Sequence, residues 1–174
     1  MSWLDTLLRR PRPRDAIAPL YAATLATARA PHWYQAGVAD TLDGRFDMVA
    51  LVLSLVLHRI DTSPAHVRHG VWLTELFVDD MDGQMRQIGF GDVVVGKQIG
   101  RIVSALGGRI GAYSAPDGSP ELAAALVRNL WRGEAPAADA LAHVLAGVAR
   151  LRTALAAMPV EQLVAATALP TGVP

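Results

Sequence analysis

Asp43-Gly44-Arg45-Phe46-Asp47-Met48-Val49-Ala50-Leu51-Val52-Leu53-Ser54-Leu55-Val56-Leu57-His58-Arg59-Ile60 is the stretch on which the fold turns. Phe46, Val49, Leu53, Val56, Leu57 and Ile60 recur at helical spacing and make one stripe. Met48, Leu51, Val52 and Leu55 cover the other sides. A helix that is apolar all round belongs inside a protein, so the spacing predicts a central helix from Arg45 to about Ile60, opened by Asp43-Gly44. Asp47 falls in its first turn, where a carboxylate favours the positive end of the helix dipole. The purely apolar part, Met48 to Leu57, is broken by Ser54 and closed by His58-Arg59, far short of the roughly 20 residues of a membrane span.

The flanking sequence supplies the rods that must surround it. Asp15 is placed to cap a helix reaching Arg29, with Pro31 as its stop, and a polar passage, Gln35 to Gly44, follows. Ser63-Pro64 opens a helix toward Ile88, because a capping serine and a proline at the first position cost no hydrogen bond. Leu73, Phe77, Met81, Met85 and Ile88 form its core face, while Glu75, Asp79, Asp82 and Arg86 lie opposite. Asp80 sits at the edge of the apolar face and needs a partner or water there. Gly91-Asp92 starts the next helix, to about Tyr113, whose stripe is Ile99, Ile102, Val103, Leu106, Ile110 and Tyr113. Gly96, Gly100, Gly107 and Gly111 share the face beside it. Each glycine costs close to 1 kcal/mol relative to alanine, and close approach of a helix, internal in preference to external, accounts for four of them. Two further helices, Pro120–Arg132 and Pro136–Met158, and a short piece from Val160 to Ala168 complete the chain. The expectation is an all-α, single-domain bundle of about six to eight helices spanning 15–168, after an amphipathic, basic extension (1–14) and before a frayed tail (169–174).

Composition narrows the chemistry. The 174 residues carry 16 Lys+Arg against 16 Asp+Glu, so no net basic field is available to hold nucleic acid. The chain has no cysteine, which excludes disulfides, thiolate metal sites and cysteine nucleophiles. Trp3, Leu4, Leu7 and Leu8 form one stripe beside Arg9, Arg10, Arg12 and Arg14, suited to a weak interfacial contact. A secretory start drawn over Ala16 to Ala28 is interrupted by Pro19, Tyr21, Thr24 and Thr27.

Several motifs imitate reactive sites. Gly91 to Lys97 follows the phosphate-loop spacing, but Gln98 stands where a magnesium-binding hydroxyl is required, and a helix precedes it where a strand should. Asp79-Asp80-Met81-Asp82-Gly83 lacks the first and last carboxylates of a calcium loop. His66 and His69 have metal-pair spacing without a third ligand. Asp43, Arg45 and Asp47 could serve acid–base chemistry, yet they also make an ordinary helix entrance. No nucleophile elbow or Ser/His/Asp arrangement stands out. The residues themselves make no case for an enzyme.

Trp33-Tyr34, Asp40-Thr41-Leu42-Asp43-Gly44-Arg45-Phe46-Asp47, Asp80-Met81-Asp82 with Arg86 and Gly89, and Gly91-Asp92 with Val95-Gly96-Lys97 occur in this order. This set, spanning Trp33 to Tyr113, resembles the ubiquinol–cytochrome c chaperone family, assembly factors of the respiratory bc1 complex. The sequence departs from the family pattern at Gln87 and Val93-Val94. The resemblance implies a helical, non-enzymatic protein without a cofactor that holds newly made cytochrome b. It further implies a second small assembly factor and the ribosome as additional partners, and a cytoplasmic location with peripheral contact at the inner membrane.

A polar rim built from Asp43, Arg45, Asp47, Glu75, Asp79, Asp80, Asp82, Asp92 and Lys97, with Gly96 and Gly100 on the smooth helix face, would orient basic loops of that client beside an apolar groove. The rival reading is a module that binds a lipid, quinone or haem inside the bundle.

Overall fold

The structure, a computed structural model, describes residues 12–87 and 92–169, with the side chains of Met85 and residues 92–99 outside that description. Every regular element among the described residues is helical. A 3-10 turn, Pro13–Ile17, leads into α1 (Ala18–Ala28) and α2 (Pro31–Gln35). The central α3 (Leu42–Asp61) is followed by a 3-10 turn, Pro64–His66, and α4 (Val67–Gln87). Then come α5 (Asp92–Ala112), α6 (Pro120–Leu130), α7 (Ala138–Ala157) and α8 (Val160–Val164).

The expected central helix is the axis of the bundle. Met48 through Leu57 are all buried, as is Ile60, and α1, α4, α5, α6, α7 and α8 pack around them. Ser54 sits in that interior because its hydroxyl donates back to the Ala50 carbonyl, 2.6 Å away. The helix starts three residues before the expected Arg45. Thr41 is its cap, accepting from the Gly44 N–H at 3.1 Å, and Asp43 lies in the first turn. Gly44 is required by close approach, since a Cβ there would lie 2.0 Å from the Ala39 carbonyl oxygen.

Tertiary contacts reshape the other predicted ends. Asp15 does not head the long first helix. Its carboxylate accepts from the Arg12 N–H at 2.8 Å within the 3-10 turn, and α1 begins at Ala18, leaving Pro19 in a first turn that needs no N–H from it. Pro31 begins α2 as well as ending α1, and α2 closes the α1 terminus. Trp33 Nε1 donates to the Thr27 carbonyl at 2.9 Å, and the Tyr34 hydroxyl to that of Ala28 at 3.0 Å. Trp33 is also wedged against α7, where a Cβ on Gly147 would fall 2.3 Å from the indole ring. Arg59 ties α3 to the end of α7 by donating to the carbonyls of Leu155 (2.8 Å) and Met158 (2.7 Å). α7 is apolar enough over its length to meet the criterion for a membrane span, yet Val144, Val148, Leu151 and Leu155 are buried in the core.

Two expectations about α5 are corrected. Leu106 and Tyr113 are buried as expected, but Val103 is 41% exposed. Among the described residues no internal helix packs on the glycine face, because a Cβ added at Gly100, Gly107 or Gly111 meets nothing within 4 Å. The side chains of Met85, Asp92, Gly96, Lys97 and Ile99, and all of Ile88 and Gly91, lie outside the description, as do residues 1–11 and 170–174. Leu169, assigned above to the tail, is buried.

Candidate functional site

Of the residues singled out from sequence, Asp43 and Arg45 line one groove, Glu75 and Asp79 a second, Asp47 is buried, Asp80 is half-buried, and Asp82 and Gly100 line neither groove. The first groove, of about 490 Å³, opens where the entrance of α3 meets the Met81 end of α4 and Ile102 of α5. Leu42, Phe46, Val49, Met81 and Ile102 form its apolar bed, and Arg29, Asp43, Arg45 and Gln84 its edge. Leu42 is 59% exposed, a large apolar side chain left in water by the Thr41 cap that starts the helix just before it. Arg45 donates from Nε to Asp40 at 2.7 Å, and that guanidinium holds the Asp40 carboxyl below the usual carboxylate range. Asp43 pairs with Arg132 at 3.3 Å. The edge is therefore mixed in charge, with Arg29 and Arg45 upon it beside Asp43.

Asp47 is not on that edge. It is 2% exposed, ion-paired with Arg109 of α5 and 3.3 Å from Arg132 after α6. Burial pushes its carboxyl above the ordinary range, with the two guanidinium groups pulling it back. Arg109 also lies over the Phe46 ring, 5.1 Å from its centroid, so this buried charge pair fixes the ring that forms part of the groove bed. Arg132 reaches it from a left-handed backbone, φ 58°, a conformation disfavoured for a residue with a Cβ. Little of Asp47 reaches the surface. Its contribution is to clamp α3, α5 and the end of α6.

Asp80 finds the partner its position demands, because the Tyr21 hydroxyl donates to its Oδ2 at 2.8 Å. Burial, then the bond to that carboxylate, pushes the Tyr21 phenol well above its ordinary range. Asp82 pairs along its own helix with Arg86 at 2.6 Å. Glu75 and Asp79 belong to a second groove, of about 470 Å³, on the opposite end of the α4–α5 pair, together with Val67, Val71, Val78, Val103 and Ile110. Both carboxylates face Arg14, at 3.8 Å and 2.6 Å. Gly100 is exposed on α5, while the side chains of Asp92, Gly96 and Lys97 lie outside the description.

Sequence reasoning missed Arg29, Leu42, Gln84 and Arg14 as surface determinants. It also assigned Phe46, Met81 and Ile102 to the core alone. The exposed Leu42 directly after a threonine cap was the available signal. Among the described residues no group of three or more His, Cys, Asp or Glu side chains could hold a metal. His66 instead bonds Ser63, 2.9 Å away. The grooves offer apolar contact, hydrogen bonds and charge.

The described residues thus form an all-helical protein with apolar-floored grooves on its surface. The chain belongs to the ubiquinol–cytochrome c chaperone family, whose model matches residues 34–170. Among solved structures it is similar to the crystal structure of the Cbp3 homolog from Brucella abortus, at 29% identity and a TM-score of 0.79 over 90% of each chain. No curated protein sequence matches the chain closely enough to add to the comparison.

Proposed function

We propose that this protein is an assembly chaperone of the bc1 complex that holds cytochrome b before it is assembled, by seating an apolar segment of that client in the groove at the entrance of α3. The observation that carries this reading is the bed of Leu42, Phe46, Val49, Met81 and Ile102. It is an apolar floor, with Leu42 exposed, Phe46 and Ile102 half-buried and Val49 and Met81 packed into the core beneath them, and it lies within the stretch that the family model matches. An unassembled membrane protein presents apolar helix surface, and a groove with a desolvated floor and a polar edge is how a helix face is held. Arg29 and Arg45 then meet the carbonyl-rich or acidic flank of the segment.

Deleting the gene and measuring respiratory complexes tests the role. The expected result is loss of cytochrome b and of assembled bc1 complex with the other complexes intact. Normal bc1 levels would contradict it. If the groove instead holds a lipid, quinone or haem, purified protein should carry that molecule, visible by mass spectrometry or absorbance.

A further inference from the structure

The edge of the groove at the α3 entrance holds more cationic donors than acceptors to meet them. Asp40 accepts from Nε of Arg45 at 2.7 Å and Asp43 is paired with Arg132 at 3.3 Å, so both neighbouring carboxylates are engaged. Among the described residues, neither the exposed Arg29 guanidinium nor the two Nη groups of Arg45 have a hydrogen-bond or ion-pair partner. Both arginines also line a further depression, of about 440 Å³, together with Tyr34, Gln35 and Asp40. The apolar groove and this polar depression therefore meet at Arg29 and Arg45. The surroundings are fixed, since the Tyr34 hydroxyl donates to the Ala28 carbonyl at 3.0 Å and the Arg29 N–H to that of Leu25 at 3.0 Å.

Resting on the reading that the groove seats an apolar segment, we propose that Arg29 and Arg45 form a carboxylate subsite, so that the segment selected is an apolar helix ending in an acidic group whose carboxylate enters the depression. A guanidinium offers its N–H donors as a planar fork, which a carboxylate accepts side by side. A singly charged carboxylate fits here better than a phosphate, because Asp40, kept ionised by its bond to Arg45, repels a second negative charge. Asp40 also offsets the charge of Arg45, which leaves Arg29 as the residue that discriminates. A cation at the end of α1 suits the helix dipole as well, but a residue kept for the dipole alone is indifferent to the charge of a partner.

The test measures binding of labelled amphipathic Leu/Ala/Ser peptides of about 14 residues, about 21 Å long as helices, to the full chain. One ends in Asp with an amidated terminus, one in Asn with an amidated terminus, and one in Asn with a free carboxylate. The Asp peptide should bind about fivefold tighter than the amidated Asn peptide, with the margin shrinking in high salt. Arg29→Gln should abolish that preference, and Arg128→Gln, an exposed arginine on α6 outside both cavities, should keep it. The third peptide shows whether a chain terminus serves as well as an acidic side chain. Equal binding of all three, or a preference that survives Arg29→Gln, would overturn the subsite while leaving the groove reading intact. Binding of none of them would overturn both. Vesicles of phosphatidylglycerol in phosphatidylcholine are the last arm. If the unaltered chain binds them and Arg29→Gln does not, while the peptides bind alike, the ligand is a lipid phosphate and the proposal is overturned.

Discussion

Asp47 is the residue on which the shape of the α3 entrance depends. Its carboxylate lies between Arg109 and Arg132, and breaking a buried pair from one side leaves the other charge uncompensated. Asp47→Ala should therefore lower stability by about 3–5 kcal/mol. Arg132→Ala should cost only about 0–1 kcal/mol, because that side chain is 61% exposed and screened. Urea unfolding of the two variants checks the ratio, and equal losses would mean that Arg109 does not depend on Asp47. A second residue-scale prediction concerns His32, whose Nδ1 lies 2.9 Å from His143 Nε2 across α2 and α7. Burial, then His143, lowers its pKa below the ordinary 6.5. The folded state then binds fewer protons than the unfolded one, so this contribution is intact above that value and is lost as the pH falls through it. Tm should drop between about pH 7.5 and about pH 5, and His32→Asn should reduce the drop. A pH response unchanged in the variant would assign it to other groups. None of this was legible locally. Asp47 reads as a first-turn carboxylate, and Arg109, 62 positions away, leaves no trace in the periodicity around it.

The helices themselves were far more readable. α3 announces itself because apolar residues on every side leave burial as the only stable outcome, and Ser119-Pro120 marks the start of α6 by the same chemistry that caps it, an N–H of Leu122 donated to the serine at 3.2 Å. Periodicity finds a face but does not say what covers it. The glycine face of α5 therefore suggested an internal neighbour, and Val103 a core position, where both are open among the described residues. Two substitutions separate these cases. Gly147→Ala places a methyl into the Trp33 ring and should cost about 1–3 kcal/mol, as overpacking does. Gly107→Ala, with nothing within 4 Å, should add about 1 kcal/mol by removing a helix-interior glycine. Thermal unfolding of both variants decides, and a destabilised Gly107→Ala would mean that something does pack on that face.

At the scale of the whole fold, the described residues surround one apolar rod and form a groove toward each end of the α4–α5 pair, with different edges. The family was legible because its motif residues hold the joints. Trp33 and Tyr34 close α1, Thr41 and Gly44 start α3, and Asp47 clamps α5. The groove beside them was legible only as an idea, since its bed is assembled from side chains on three helices that each read as core. The most direct test of the account is capture of cytochrome b by the full-length protein and by its Leu42→Asp/Ile102→Asp variant, with helicity confirmed unchanged by circular dichroism. Two buried apolar contacts of about 1.5–3 kcal/mol each predict a loss of capture of at least about tenfold. Undiminished capture by the folded variant would contradict it.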